Sequence, residues 1–440
     1  MNFIRNNFKY IFLFIFFVII LLFICFENTS FDFIWSYGFS HAIRIGEIPY
    51  LEFNTISTPL YIFIMSLFLF IKDSFFVFVL VQALFCTILF YVIFKYIGKK
   101  GWLLLPVLAF PFFVSFIGTY NFLTFFLLVF LFYLEDNNKS DYLLGFILGL
   151  LILSKQTIGG MALVLNFVFL KDLVRIKKRI IGASIPLVIF LLFLVFTGSL
   201  YSFIDLCFLG LFDFGKSNGG IKVFTIISVL MLALVVVYYV RNKDIKCSYL
   251  MASFFFPFPI FDYSHFNLYL ALFILFFMSK IEFDEKKIVY SSFCLLITIL
   301  LLNIFIKFDF YKELVFSKFN HFEYYLLKEK DEKKFQKISA KYNSYPDAIM
   351  IDTQAMFYDI ISDRKIAYFD MPLSGNYGLK GTNGMIDKVS NMHDQMFFIN
   401  ICNYDDLKDT TQFDYELVKY VIENSKKIDK VLCYNIYYKE

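Results

Sequence analysis

The sequence predicts a mainly α-helical polytopic membrane protein of about eleven transmembrane helices, with a small α/β domain at its C-terminal end. Three observations carry this reading. Long apolar runs recur from residue 10 to about residue 305. Of the 440 residues, 59% are hydrophobic and 18% are charged, whereas soluble domains run about 45–50% apolar and about 25% charged. Lys and Arg gather in a few short loops between the apolar runs, the distribution expected of cytoplasmic loops. The net charge of +4 is too small to argue for a nucleic-acid partner, and none is expected.

Placing the basic loops in the cytoplasm orders the spans. Arg5 and Lys9 precede a run that ends at Phe26, and "CFENTS" after it offers no small-residue cleavage site. Residues 10–26 are therefore expected to be an uncleaved first span with the N-terminus inside. Four further basic loops read as cytoplasmic: "KYIGKKG" with Lys95, Lys99 and Lys100, "KDLVRIKKR" (171–179), "RNKDIK" (241–246) and "SKIEFDEKK" (279–287). Only one full crossing then fits between the first outer loop and Lys95. Residues 59–71, opened by Thr58-Pro59, are expected to lie at the outer interface, and 75–94 to form span two. In the same loop, "WSYGFSHAI" reads as another interfacial helix. The remaining spans alternate as 101–117, 121–134, 141–154, 158–170, 180–197, 221–240, 247–261, 266–279 and 288–306.

After about residue 310 the chain turns polar, which divides it into a transmembrane region, 1–310, and an extracytoplasmic α/β domain, 311–440. Strands are expected at "AIMID" (348–352), "KIAYFDM" (365–371), "QMFFINI" (395–401) and "KVLCYNIYY" (430–438). "TTQFDYELVKYVIENSKK" puts Phe413, Leu417, Tyr420 and Val421 on one face and reads as an amphipathic helix. "SGNYGLKGTNG" (374–384) reads as a loop without phosphate-cradle spacing. The seven Cys lack metal-ligand spacing and read as small hydrophobes; Cys402 and Cys433, both in strand-like runs, are the pair that an oxidising compartment would allow to join.

Five polar clusters interrupt the apolar runs, and all fall on the outer side of this thread: Asp32–Asn54, "GTYN" (118–121), "SKQT" (154–157), the 198–220 loop with Asp205, Asp213 and Lys216, and "FDYSH" (261–265). Lys155 sits between two apolar segments so short that it is placed at membrane depth, with the donor and acceptor of Gln156 beside it. A cation there suits an anion, either a carboxylate or the phosphate of a lipid-linked substrate; the plainer reading is a lysine that snorkels to headgroups. Asp262 and His265 share one face of a first helical turn, where His265 would donate to substrate and Asp262 would fix its tautomer; the plainer reading is a helix cap. Tyr120 and Asn121 read as an interfacial aromatic and a cap, or as part of the same site. The first outer loop carries Asp32, Glu47 and Glu52, with His41 and Arg44 between them and turns at Gly46 and Pro49. A carboxylate beside a membrane-embedded cleft has the desolvation that a general base needs.

In their order and shared side, these motifs resemble those of the GT-C glycosyltransferases, polytopic enzymes that take sugar from a polyprenyl-phosphate carrier. One bacterial, family-39-like branch has the pattern G-x-x-P-Y-x-(acid)-x-N…P-L. Here "GEIPYLEFNTISTPL" is similar, with Glu52 where that branch more usually has Asp. "SKQTIGG", "FDYSHFNLYL" and the tail over 345–440 also look similar, so the resemblance covers most of the chain, although each motif alone has low to moderate specificity. Two features depart from the pattern. Ile34 and Trp35 stand where many relatives carry an acidic pair, and "GTYN" stands where a second acid is often found.

The resemblance implies an inverting transfer from a polyprenyl-phosphate-sugar donor to an extracytoplasmic glycan or lipid-linked acceptor, in a multi-pass plasma-membrane protein contacting membrane lipid. It implies Asp32 as general base with Glu52 binding the acceptor or a metal, or the two roles exchanged. The substrate-binding set is His41, Arg44, Tyr50, Asn54, Tyr120, Asn121, Lys155, Gln156, Asp262 and His265. No cofactor is certain and a divalent metal stays open. A lipid-linked polysaccharide polymerase or ligase, or a lipid-linked oligosaccharide flippase or transporter, is the alternative. A transporter would carry internal repeats and midplane polarity, and the sequence shows neither.

Overall fold

The computed structural model describes residues 2–27, 31–109, 118–210, 223–257, 263–281, 329–345, 347–351, 355–362, 364–366, 378–400 and 415–440. The chain is mostly helical, with one small sheet near its C-terminal end. In chain order the first helices are α1 (Asn2–Glu27), α2 (Phe31–Arg44), α3 (Leu60–Leu69), α4 (Phe75–Ile97), α5 (Leu104–Ala109) and α6 (Tyr120–Asp136). Then follow α7 (Asp141–Ser154), α8 (Gln156–Leu170), α9 (Leu173–Phe196), α10 (Leu200–Ile204), α11 (Val223–Asn242), α12 (Lys246–Ala252) and α13 (Tyr263–Met278). The C-terminal region holds α14 (Glu329–Lys341), β1 (Ile349–Ile351), α15 (Ala355–Ile361), α16 (Gly381–Ser390), β2 (Gln395–Asn400), α17 (Tyr415–Glu423), β3 (Lys426–Val431) and β4 (Tyr434–Lys439).

Three stretches among the described residues are long and apolar enough to cross a membrane: Phe75–Pro106, Leu173–Phe196 and Val223–Asn242. This corrects the expected count of about eleven spans. The apolar helices α3, α7, α8 and α13 run only 10–16 residues. At 1.5 Å per residue α7 and α8 are each about 21–23 Å long, against about 30 Å of hydrocarbon. Counting apolar runs overlooked how far polar breaks shorten them. Residues 59–71 do contain a short helix, α3, ten residues long. Span eleven (288–306), residues 110–117 of the expected span 101–117, and the end of 247–261 lie outside the described residues.

The chain divides into two units. The first comprises Met1–Phe33, Ile71–Ile189 and Gly220–Leu326; the second comprises Ile34–Phe70, Phe190–Gly219 and Leu327–Glu440. The second unit therefore joins the 34–70 and 190–219 stretches to the C-terminal region.

Within the first unit, α7 and α8 form a hairpin whose joint is Lys155, in extended backbone at φ −148° and ψ 103°. Gly159 lets α8 close on α7, because a Cβ there would collide with the Ile152 backbone. Gly145 and Gly149, one turn apart on α7, lie against α9, where a Cβ on Gly145 would meet the Arg179 carbonyl. Small residues at such spacing let two helix backbones approach closely. At the far end of the hairpin, Arg179 is fully buried and bonds Glu135 at 2.6 Å, Asp141 at 2.7 Å, Asn166 at 2.8 Å and Tyr249 at 3.1 Å. Five helices, α6 to α9 and α12, meet at that guanidinium.

The same end of the first unit ties the basic loops together. Lys246 pairs with Asp136, and Lys280 pairs with Asp244 at 2.8 Å. Tyr96 donates to Ser279 at 3.3 Å and Lys100 to the Met278 carbonyl at 3.3 Å. All four loops read as cytoplasmic thus contribute to one polar end of the helices.

The second unit contains a four-stranded sheet of order β1-β2-β4-β3, in which β1 pairs parallel to β2 and the other neighbours pair antiparallel. Ile349, Ile351, Phe397 and Ile399 face Met385 and Val389 of α16 and Leu417 and Val421 of α17 in one core. "KVLCYNIYY" is not one strand: the chain reverses at Leu432, φ 55°, so β3 and β4 form a hairpin. Lys426 and Lys427, expected to end the preceding helix, belong to β3. "GTNG", expected as loop, opens α16, because Gly381 at φ 58° turns the chain into that helix. Lys365 and Ile366 are not in a strand, and the rest of 365–371 lies outside the described residues. Cys433 is disulfide-bonded; Cys402 lies outside the described residues.

Candidate functional site

Two polar centres emerge, one in each unit. In the first unit, "GTYN" and "SKQT" come together. Thr119 precedes α6, whose first residues are Tyr120 and Asn121; Lys155 separates α7 from α8, and Gln156 opens α8. The Lys155 Nζ donates to Asn121 Oδ1 at 2.9 Å. Two rings flank the ammonium, Phe256 at 5.3 Å and Tyr120 at 5.8 Å to their centroids. Asn121 is fully buried, and its Nδ2 finds no acceptor among the described residues. Beneath the lysine, Ser154 and Thr124 hydroxyls lie 2.9 Å apart, and both bond the Tyr120 carbonyl. Fifteen helical rises separate Tyr120 from Glu135, so this centre lies about 22 Å along α6 from the basic end.

In the second unit the centre is Glu47, which follows Gly46 (φ 98°) at the exit from α2. Its carboxylate is 3% exposed. Oε1 accepts from the Ile366 N–H at 3.0 Å, and Oε2 is buried with no donor among the described residues. Desolvation lifts its pKa to about 6, against the Ile366 bond that lowers it. Glu52 is differently placed: Oε2 accepts from the Ile48 N–H at 2.6 Å, and Oε1 from Lys365 Nζ at 3.0 Å. Desolvation raises its pKa, but the Ile48 bond and Lys365 outweigh it and hold it below the ordinary value.

The other expected site residues fall as follows. His41 is buried on α2, and its charge acts on Glu47; Arg44 ends the same helix, half-buried. Tyr50 is wholly buried at φ 70°, its hydroxyl bonded to the Ser57 carbonyl at 2.8 Å and its ring against Phe203 at 5.1 Å. Asn54 is buried in the loop, and His265 is half-buried in the first turn of α13. The Asp32 side chain and all of Asp262 lie outside the described residues. Among the described residues no three His, Cys, Asp or Glu side chains gather as a metal site.

Sequence reasoning named Glu47 as a loop acid without giving it a role. Its partner Ile366 lies 319 residues away, which no local pattern reveals. The Gly46 turn, which tucks the next side chain inward, was the available signal. Compared with protein-family models, curated proteins and solved structures, the chain matches none.

Proposed function

We propose that the protein is a plasma-membrane glycosyltransferase that moves a sugar from a polyprenyl-phosphate carrier to an extracytoplasmic glycan or lipid-linked acceptor, with inversion. One observation carries the reading: Lys155, held by Asn121 at the joint of two helices too short to span, at the end of the helices away from the basic loops. A cation at that depth needs an anion. The carrier phosphate supplies one, and its lipid tail suits the apolar helices around it.

In the reaction, the Lys155 ammonium and the Asn121 amide donate to the phosphate oxygens and stabilise the charge that grows on the leaving phosphate. The acceptor oxygen bonds to the anomeric carbon from the face opposite the breaking carbon–oxygen bond. A first-loop carboxylate takes the acceptor proton. Glu52, low in pKa and paired with Lys365, is the weaker base, which favours Asp32 for that role. The linked basic loops favour an inward-facing end at Lys100, Arg179 and Lys280, and the Cys433 disulfide fits an oxidising compartment for the C-terminal region.

Binding of a polyprenyl-phosphate sugar to the full chain in lipid nanodiscs tests the Lys155 site. Lys155→Met is expected to weaken Kd by about tenfold or more, close to 1.4 kcal/mol. Lys177→Met, in the basic loop, is expected to leave it unchanged. Equal affinity in wild type and Lys155→Met would remove the basis of the reading.

A further inference from the structure

Glu47 has no part in the reaction above, yet its surroundings are unusual for a carboxylate. One backbone N–H, that of Ile366, bonds Oε1, and Oε2 is buried without a donor among the described residues. An ionised carboxylate so placed is short of hydrogen bonds where water does not reach.

The charges facing it do not make up the shortfall. Glu52, in the same loop, repels it. Lys365, beside Ile366, attracts it, but the Lys365 Nζ is bonded to Glu52. His41, from α2, adds a smaller attraction. Arg364, next in the chain, is turned to the carbonyls of Tyr345 at 2.9 Å and Tyr342 at 3.1 Å.

We infer that the seating of the 364–366 segment on the first loop is proton-linked, tightening when Glu47 is protonated and loosening when Glu47 ionises. Seated, Glu47 titrates near 6, and released into water it returns to the ordinary 4.5. The seated form therefore binds more protons between those values, so seating weakens as pH rises through that window and is constant above it. The shift corresponds to about a 30-fold change in the seating equilibrium. Glu52, whose pKa is held below the ordinary value by the Ile48 bond and Lys365, is the more ionised of the two carboxylates across the window.

Hydrogen exchange on the full chain in nanodiscs, followed by mass spectrometry of a peptide that spans residue 366, tests the linkage between pH 4.5 and 8. Rates are corrected for intrinsic exchange. Protection of that peptide is expected to fall by up to about 30-fold as pH rises, with the fall lying between 4.5 and 6 and protection constant above 6. Glu47→Gln, which keeps an acceptor but cannot ionise, is expected to hold high protection at every pH. Glu52→Gln removes the repelling charge and is expected to move the midpoint of that fall to lower pH. Flat wild-type protection, an unchanged pH slope in Glu47→Gln, or an unmoved midpoint in Glu52→Gln would overturn the inference.

Discussion

Tyr50 shows how position in a motif and position in the molecule diverge. It stands in "GEIPYLEFN", where the GT-C resemblance makes it a substrate contact. Its hydroxyl is instead bonded to the Ser57 carbonyl, and its ring is buried against Phe203. Tyr50→Phe is expected to lower the stability of the full chain by about 1 kcal/mol, read as a lower melting temperature in detergent, because it leaves the Ser57 carbonyl only the weak Cys207 thiol donor at 3.7 Å. An unchanged melting temperature would return Tyr50 to the substrate-contact reading. Lys155 and Asn121 were legible in the sequence, since polar residues between short apolar segments stand out there. Glu47 was not, because what distinguishes it is a backbone donor from the far end of the chain.

The helices of the first unit are arranged by a few small or charged residues. Glycines at 145, 149 and 159 set how closely α7 approaches its neighbours. Arg179 fixes their ends, at the close of a segment that reads in sequence only as a basic loop. α9 in fact begins at Leu173, which carries Arg179 inside; its acidic partners, Glu135 and Asp141, lie 44 and 38 residues earlier. Charge counting places such a loop on one side of a membrane but does not reveal which of its residues is buried. Arg179→Met is expected to destabilise the protein by about 3–5 kcal/mol, because the buried Glu135 loses its counter-charge and Asp141 keeps only Arg175, at 3.1 Å. Adding Glu135→Gln and Asp141→Asn is expected to recover part of that loss. Equal melting temperatures for wild type and Arg179→Met would contradict the account of this network.

For the molecule as a whole, the class was legible: a helical chain with spans long enough for a membrane and a small C-terminal sheet. The span count was not, because apolar composition continues through helices of 14 and 15 residues that stop at Lys155. Nor was the joining of first-loop residues to the C-terminal region, which depends on contacts hundreds of residues apart. The most direct measurement of the proposed function is turnover of a panel of polyprenyl-phosphate sugars by the purified full chain, with release of polyprenyl phosphate as the readout. The account predicts acceptor-dependent release from at least one sugar donor, inverted stereochemistry in the product, and loss of release in Lys155→Met. Retention of configuration, or full activity in a folded Lys155→Met protein, would contradict it.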